Sequence, residues 1–535
     1  MKCPQLLKLC AVSTLTLTLF TTSYFAQRSS NVTLQKLGTF STGLFDEGGA
    51  EIVIHDPKTQ RLFAVNLGFR SIDAIDIRNP VKPRLAFRID ISPFGSQANS
   101  VAIHKRELAV AVEAEVKTDP GKIVFFDTDG RFINQVTVGA LPDMVTYTPN
   151  GQKVLVANEG EPNSYNQPDS VDPEGSVSII DLRRGAGRVT EDDVITADFT
   201  AFNAASLDSS IRIYGPNATV AQDLEPEYIA ISHDSKTAWV TIQEANAIGI
   251  LDIDQGVFVD IVGLGFKDHS LPGNGMDASD RDGPSNSPLI NIANWPVLGA
   301  YEPDAIAAFR SRGQTFLLTA NEGDTRDWPG FNEESRVSAL TLDPMAFPNG
   351  AALKTNAQIG RLTVTRATGD TDGDTDFDQL IVPGGRSFSI WDESGNLVFD
   401  SGDQFEQITA QALPDFFNAN NDDNDSFDTR SDNKGPEPEG IAIGEISGRT
   451  YAFIGLERIG GVMIYEITNP RSPVFQSYVN NRDFSGDAEE GTAGDLGPEG
   501  IIFIRASDSP TGDPLLVVAN EVSGTTTIYR VRIGG

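Results

Sequence analysis

Cysteine is almost absent from the 535 residues: Cys3 and Cys10 are the only two, and both lie in the first 26 positions. Beyond them no disulfide, thiol nucleophile or cysteine-ligated zinc site can be built. Histidine is nearly as scarce, with four copies. HExxH, GxSxG and GxxxxGK[ST] are all missing, which excludes the common zinc-hydrolase, serine-hydrolase and phosphate-loop designs. Three of the four, His55, His104 and His233, follow the first strand of a repeat at one phase and read as turn residues. Positive charge is also short. Lys and Arg number 41 against 75 Asp and Glu, a net charge of −34, so a nucleic-acid binder relying on a basic face is excluded.

Long apolar runs are missing after Phe25. Leu9 to Phe25 is uncharged, follows Lys2 and Lys8, and ends at Ala26. It is shorter than the roughly 20 residues a bilayer span needs and has the layout of a secretory signal. The sequence therefore predicts a signal over 1–26, a mature chain over 27–535, a secreted or periplasmic location, and no membrane span or C-terminal anchor after cleavage. An exported chain without disulfides needs a large core or bound metal for stability.

What is present is a repeat. Fifty Gly and thirty Pro punctuate short apolar strands. One unit recurs: an acidic turn, an apolar strand, a polar turn, a second apolar strand ending in Asn or Glu, and a third ending near Asp. Seven copies begin near Ala50, Asn99, Asp143, Pro226, Pro303, Pro438 and Pro498, and a degenerate eighth spans Gln379 to Gly402. Units of roughly 40 to 50 residues with three or four strands are propeller blades, each burying its faces against its neighbours. The expectation is all-β: a single β-propeller of eight, alternatively seven, four-stranded blades, closed by the early strand Thr33 to Thr42. Three insertions, Arg183 to Glu225, Gln255 to Glu302 and Gly402 to Pro436, interrupt the phasing and are the expected walls of a site.

The repeat puts acids at equivalent points. Glu113, Glu159, Glu244, Glu322, Glu457 and Glu521 stand where second strands end; Glu227, Asp304, Glu439 and Glu499 stand where first strands begin, with Glu51 and Asp143 near that phase. Radial symmetry would gather them around one mouth. Two unit charges 4 Å apart repel by about 4 kcal/mol at an effective dielectric of 20, so such a ring needs counter-ions. All-oxygen ligands suit hard divalent cations, calcium first. Glu159, Glu227, Glu322, Glu439 and Glu499 are the axial candidates; the alternative is that each acid bonds a neighbouring blade's backbone and only fixes packing.

The sharpest local motif is the alternation Asp370, Asp372, Asp374, Asp376 and Asp378 around Gly373. Alternate carboxylates on a curling loop can wrap a calcium ion, although the spacing is not that of an EF-hand; a solvated acidic turn is the competing reading. A second acidic stretch, Asn420 to Asp428, reads equally as a linker. Arg326 and Arg458 directly follow second strands. Beside bound metal they could clamp a phosphoryl group; salt bridges to adjacent acids account for them as well.

The segments NEGEPNSYNQPDSVDPEGSVSIIDL (Asn158 to Leu182), NEGDTRDWPGFNEESRV (Asn321 to Val337), GDTDGDTDFDQLIVPGGRSFSIWD (Gly369 to Asp392), RSDNKGPEPEGIAIG (Arg430 to Gly444) and GDLGPEGI (Gly494 to Ile501) resemble the choice-of-anchor type I family. The resemblance runs over essentially the whole mature chain and implies an extracytoplasmic β-propeller, of a group often described as alkaline-phosphatase-like. Two functions follow as expectations. One is a calcium-binding surface, matrix or mineral-interaction module with divalent cations as partners. The other is a metal-dependent phosphomonoesterase acting on phosphate esters, with Glu159, Glu322, Glu439 and Glu499 holding cations and Arg326 or Arg458 steadying the phosphoryl charge.

Overall fold

The computed structural model describes residues 31–534; the signal expected over 1–26 lies outside them. Second strands of the repeat, such as Lys153–Asn158, Thr237–Ile242 and Leu515–Asn520, are buried almost throughout. A strand covered on both faces by neighbouring sheets carries a continuous apolar run instead of an alternation. Fourth strands are more open to solvent: Arg84–Asp90 is largely exposed, and Val257–Gly263 buries Phe258 and Ile261 but exposes Val257, Val259 and Asp260.

The described residues hold seven four-stranded antiparallel sheets, here blades one to seven in chain order. Their innermost strands are Val53–Asp56, Ala98–His104, Pro142–Tyr147, Pro226–Ile231, Ile306–Ser311, Pro438–Ile446 and Pro498–Ile504. Each touches the next, and the seventh returns to the first, so the sheets close into a β-propeller ring. Val32–Ser41 pairs with Thr525–Ile533 as the outer strand of blade seven, with Val32 opposite Ile533, as the early-strand expectation required.

No eighth sheet forms from Gln379 to Gly402. Its strands Ser387–Asp392 and Leu397–Asp400 are the third and fourth of blade five. The misreading arose because blade five carries a long insertion between its second strand, Gln314–Asn321, and its third, a segment not counted among the insertions. Two of the expected insertions also begin with a blade's last strand: Val194–Asp198 completes blade three and Val257–Gly263 blade four. The inserted segments have an apolar core of their own, built from Met276, Val297, Val337, Phe347, Ile359, Leu362 and Val382 among others.

Candidate metal centre

The site begins with register. In blade six Pro438 pairs with Leu456, and in blade seven Pro498 pairs with Asn520. The next residue on each strand is an acid, Glu439 and Glu457 in one blade, Glu499 and Glu521 in the other. Proline lacks the N–H a ladder needs and so sits at a strand's first position; here it sets the phase of the acid. The second strand's terminal Asn fixes the other partner. Asn158 donates to Ser178 Oγ (2.9 Å), Asn321 to Ser389 Oγ (2.8 Å) and Asn520 to Thr525 Oγ1 (3.1 Å), each tying the strand end to its neighbour just before Glu159, Glu322 or Glu521.

Glycine then brings the blades together. A Cβ on Gly440 would lie 1.7 Å from the Glu499 carbonyl oxygen, and one on Gly500 would lie 2.4 Å from that of Glu51. The Pro-Glu-Gly triplets thus supply a strand start, a carboxylate and the close approach that lets carboxylates of different blades meet.

They meet at an axial cavity of about 230 Å³ to which all seven blades contribute, from Ile52, Asn99, Asp143, Glu227, Asp304, Glu439 and Glu499. Glu322 lines it too, and Glu159 lines an adjoining cleft with Glu51, Glu113 and Glu161. Four of the five axial candidates, Glu227, Glu322, Glu439 and Glu499, therefore share the axial cavity, and Glu159 lines the cleft beside it. Three trios of carboxylates have ligand oxygens within 4.8 Å of one another: Glu51–Glu499–Glu521 at the seam of blades seven and one, Glu159–Glu227–Glu244 between blades three and four, and Glu322–Glu437–Glu457 between blades five and six.

Crowding and burial raise proton affinity here. Burial, then repulsion from Glu161 and Glu51, pushes Asp143 up to about 7. Glu521 rises to about 7 by burial and the nearby Glu51, and Glu244 to about 8 by burial against the opposing pull of Arg326. Glu159, Glu227, Asp304, Glu439 and Glu499 all rise well above the usual carboxylate range, burial being the largest cause for each. Buried oxygens without a hydrogen-bond partner occur on Glu244 and Glu439. A crowded set of hard, partner-poor oxygens fits calcium.

The cations are unevenly placed. Lys434 Nζ lies 2.8 Å from Glu322 and 3.0 Å from Glu437; Arg458 Nε lies 3.0 Å from Glu437 and 3.2 Å from Glu457. Burial would raise Glu437, but Lys434, Arg430 and Arg458 hold it well below the usual range. Arg326 is 2% exposed. Its guanidinium is engaged by Asp223 and by Glu225, the latter at 2.8 Å. Arg212, equally enclosed, bridges Glu302 and Glu333, and its Nη1 also donates to the Glu244 carbonyl at 3.1 Å. These two arginines pin the insertion layer beside the mouth. The candidate clamps Arg326 and Arg458 are thus both held by carboxylates.

The Asp370–Asp378 loop is elsewhere: none of its acids lines the axial cavity or the adjoining cleft. Its carboxylates face their own backbone. Asp370 accepts from Gly373 N (2.7 Å) and Thr375 N (3.0 Å), and Asp378 from Thr371 N (2.8 Å). They form two groups, Asp370–Asp372–Asp374 and Asp376–Asp378 with Asp343. Asp343 joins because Leu342 bridges to Phe377.

Several residues were not anticipated. Glu161 and Asp324 follow Asn-Glu-Gly in blades three and five, and comparing those two copies would have shown them. Lys434 and Glu437 come from the Gly402 to Pro436 insertion and its edge, outside any repeat. Within the insertions Asp277 and Asp428 are fully buried. Burial and Glu406 push Asp277 up to about 7; burial and Asp277 push Asp428 up to about 8. Asp428 accepts from Ser431 Oγ at 2.6 Å and Leu289 N at 3.1 Å, so its stretch is packed structure and not a linker.

A closed seven-sheet ring with an acidic axial mouth defines a β-propeller carrying a candidate cation site. A family model for the choice-of-anchor I domain matches residues 51–470, and the chain belongs to that family. It is 33% identical over 192 residues to Gigasin-3a of Magallana gigas, an alignment covering 34% of this chain and 67% of that protein. It is 27% identical over 298 residues to the mesenchyme-specific cell surface glycoprotein of Strongylocentrotus purpuratus, covering 49% of this chain and 37% of that one. The chain thus spans little more than a third of the sea-urchin protein. Among solved structures, the β-propeller domain of Myceliophteria thermophila Cps50 (Swd1) is similar at 10% identity and a TM-score of 0.44, over 94% of this chain and all of that one. Among the described residues no helix is long and apolar enough to cross a membrane.

Proposed function

We propose that this protein is an extracytoplasmic, surface-associated β-propeller that binds calcium through those axial carboxylates that no side-chain cation reaches, and that it works as a surface, matrix or mineral-interaction module. The observation that carries the reading is the convergence of acids from blades three to seven on one axial cavity, with Glu51 and Glu113 of blades one and two in the adjoining cleft. Membership of the choice-of-anchor I family and similarity to a cell surface glycoprotein support the location. The Asp370–Asp378 loop is a second, weaker calcium candidate. Phosphate-ester hydrolysis gains no support from the site, since Arg326 and Arg458 are committed to carboxylates.

Calorimetric titration of the chelator-treated protein with CaCl2, paired with its melting temperature in chelator and in millimolar calcium, tests the reading. Binding at Kd of about 10⁻⁴ to 10⁻³ M, as extracellular calcium modules show, with a higher melting temperature in calcium, is expected. No heat and no shift would refute it.

A further inference from the structure

The three trios at the mouth are neutralised differently, and the difference singles out one of them. At Glu322–Glu437–Glu457 the chain supplies its own cations: Lys434 Nζ sits between Glu322 and Glu437, and Arg458 Nε between Glu437 and Glu457. At Glu51–Glu499–Glu521 no carboxylate oxygen is enclosed without a hydrogen-bond partner. Glu159–Glu227–Glu244 has neither the cations of the first trio nor the satisfied oxygens of the second. Among the described residues no Lys or Arg forms an ion pair with any of these three, and the two buried guanidinium groups beside them are committed elsewhere, Arg326 to Asp223 and Glu225 and Arg212 to Glu302 and Glu333.

The trio also has an independent mark of a missing ligand. Glu244 is 3% exposed, and its Oε2 is enclosed without a hydrogen-bond partner. A carboxylate oxygen of Glu244 lies within 4.8 Å of one on Glu159 and one on Glu227. A buried carboxylate oxygen left unpaired is costly. A hard divalent cation between three such oxygens removes that cost and their mutual repulsion together.

Resting on the calcium reading above, we infer that the divalent cation is seated at Glu159–Glu227–Glu244 between blades three and four, and that Lys434 takes the place of metal in the Glu322–Glu437–Glu457 cluster between blades five and six. The ring is one binding mouth with an asymmetric interior. Repetition supplies Glu159 and Glu322 at the ends of second strands, whereas Glu437 and the lysine beside it come from the insertion and its edge, so that cluster carries its own cation.

Calcium calorimetry on the whole protein and on Glu244→Gln, Glu227→Gln and Glu457→Gln decides this. Glu244→Gln and Glu227→Gln are expected to weaken calcium at least tenfold, and Glu457→Gln to leave it within about twofold. Chelated Glu244→Gln should melt no lower than the chelated parent, since the carboxyl it replaces has an enclosed oxygen without a hydrogen-bond partner; if it does not fold, Glu227→Gln decides. A parent that binds calcium while Glu227→Gln and Glu244→Gln keep its affinity would overturn the seat and leave the calcium reading standing. Equal losses in all three variants would overturn the asymmetry. A parent that binds no calcium would overturn both.

Discussion

The axial mouth and the Asp370–Asp378 loop are both dense in carboxylate, and they differ in where those groups find partners. The loop's acids lie within nine residues and bond the N–H groups of Gly373, Thr375 and Thr371 beside them. The mouth's acids come from strands hundreds of residues apart and are held by rigid sheet ends, so they cannot relax toward local donors. Charge density along a chain says little about a site; charge held against relaxation says more.

The sharpest way to test that contrast is to withdraw a built-in cation. Lys434→Met leaves Glu322 and the fully buried Glu437 with less compensation, and breaking such a buried pair costs about 3–5 kcal/mol; urea unfolding should show a loss of that size. A loss below about 1 kcal/mol would mean the mouth relaxes as easily as the loop.

Next comes rigidity. Gly440→Ala drives a methyl into the Glu499 carbonyl oxygen and should cost about 1–3 kcal/mol, the range for overpacking. It should also reduce calcium affinity by separating the blades. Unchanged stability would show that the close approach is not needed.

A third expectation is electrostatic. Asp143 and Glu521 near 7 and Glu244 near 8 bind protons more tightly folded than unfolded, where carboxyls titrate near 4. Their stabilising protonation is complete below pH 4 and is lost as pH rises through 7 to 8. In chelator the melting temperature should therefore fall by several degrees from pH 5.5 to 8.5, and calcium should flatten that fall. Glu437, held low, acts in the opposite sense only in more acidic solution. A calcium effect that shrinks as pH rises would contradict the axial seat.

The smallest effect belongs to the loop. Asp372→Asn with Asp374→Asn should lower the calcium-dependent rise in melting temperature by about 1 °C or less, because exposed charges contribute little. A drop matching that of Glu244→Gln would reverse the ranking of the two regions.

Much of the mouth was legible because it is periodic. The Pro-Glu-Gly and Asn-Glu steps recur, and radial repetition turns recurrence into proximity; Glu159, Glu227, Glu322, Glu439 and Glu499 follow from that alone. The ring was legible for the same reason, apart from Ser387–Asp392 and Leu397–Asp400, which a long insertion disguised as a separate unit. What stayed hidden is aperiodic. Lys434 reaches Glu322 across 112 positions, Arg212 reaches Glu333 across 121, and Asp277 of one insertion acts on Asp428 of another. Such contacts depend on how irregular segments fold over the ring, for which no spacing rule exists. Arg326 and Arg458 were noticed for their positions, but their partners Asp223, Glu225 and Glu437 lie in those same irregular segments.

The pairing of Val32–Ser41 with Thr525–Ile533 joins positions almost five hundred residues apart, and such distant contacts form slowly. During synthesis the earliest strand must wait, unzipped, for the last one to be made. The Glu51–Glu499–Glu521 trio spans the junction of blade seven with blade one, so it assembles only when the circle locks. A probe placed on those three side chains would keep time for completion of the whole molecule.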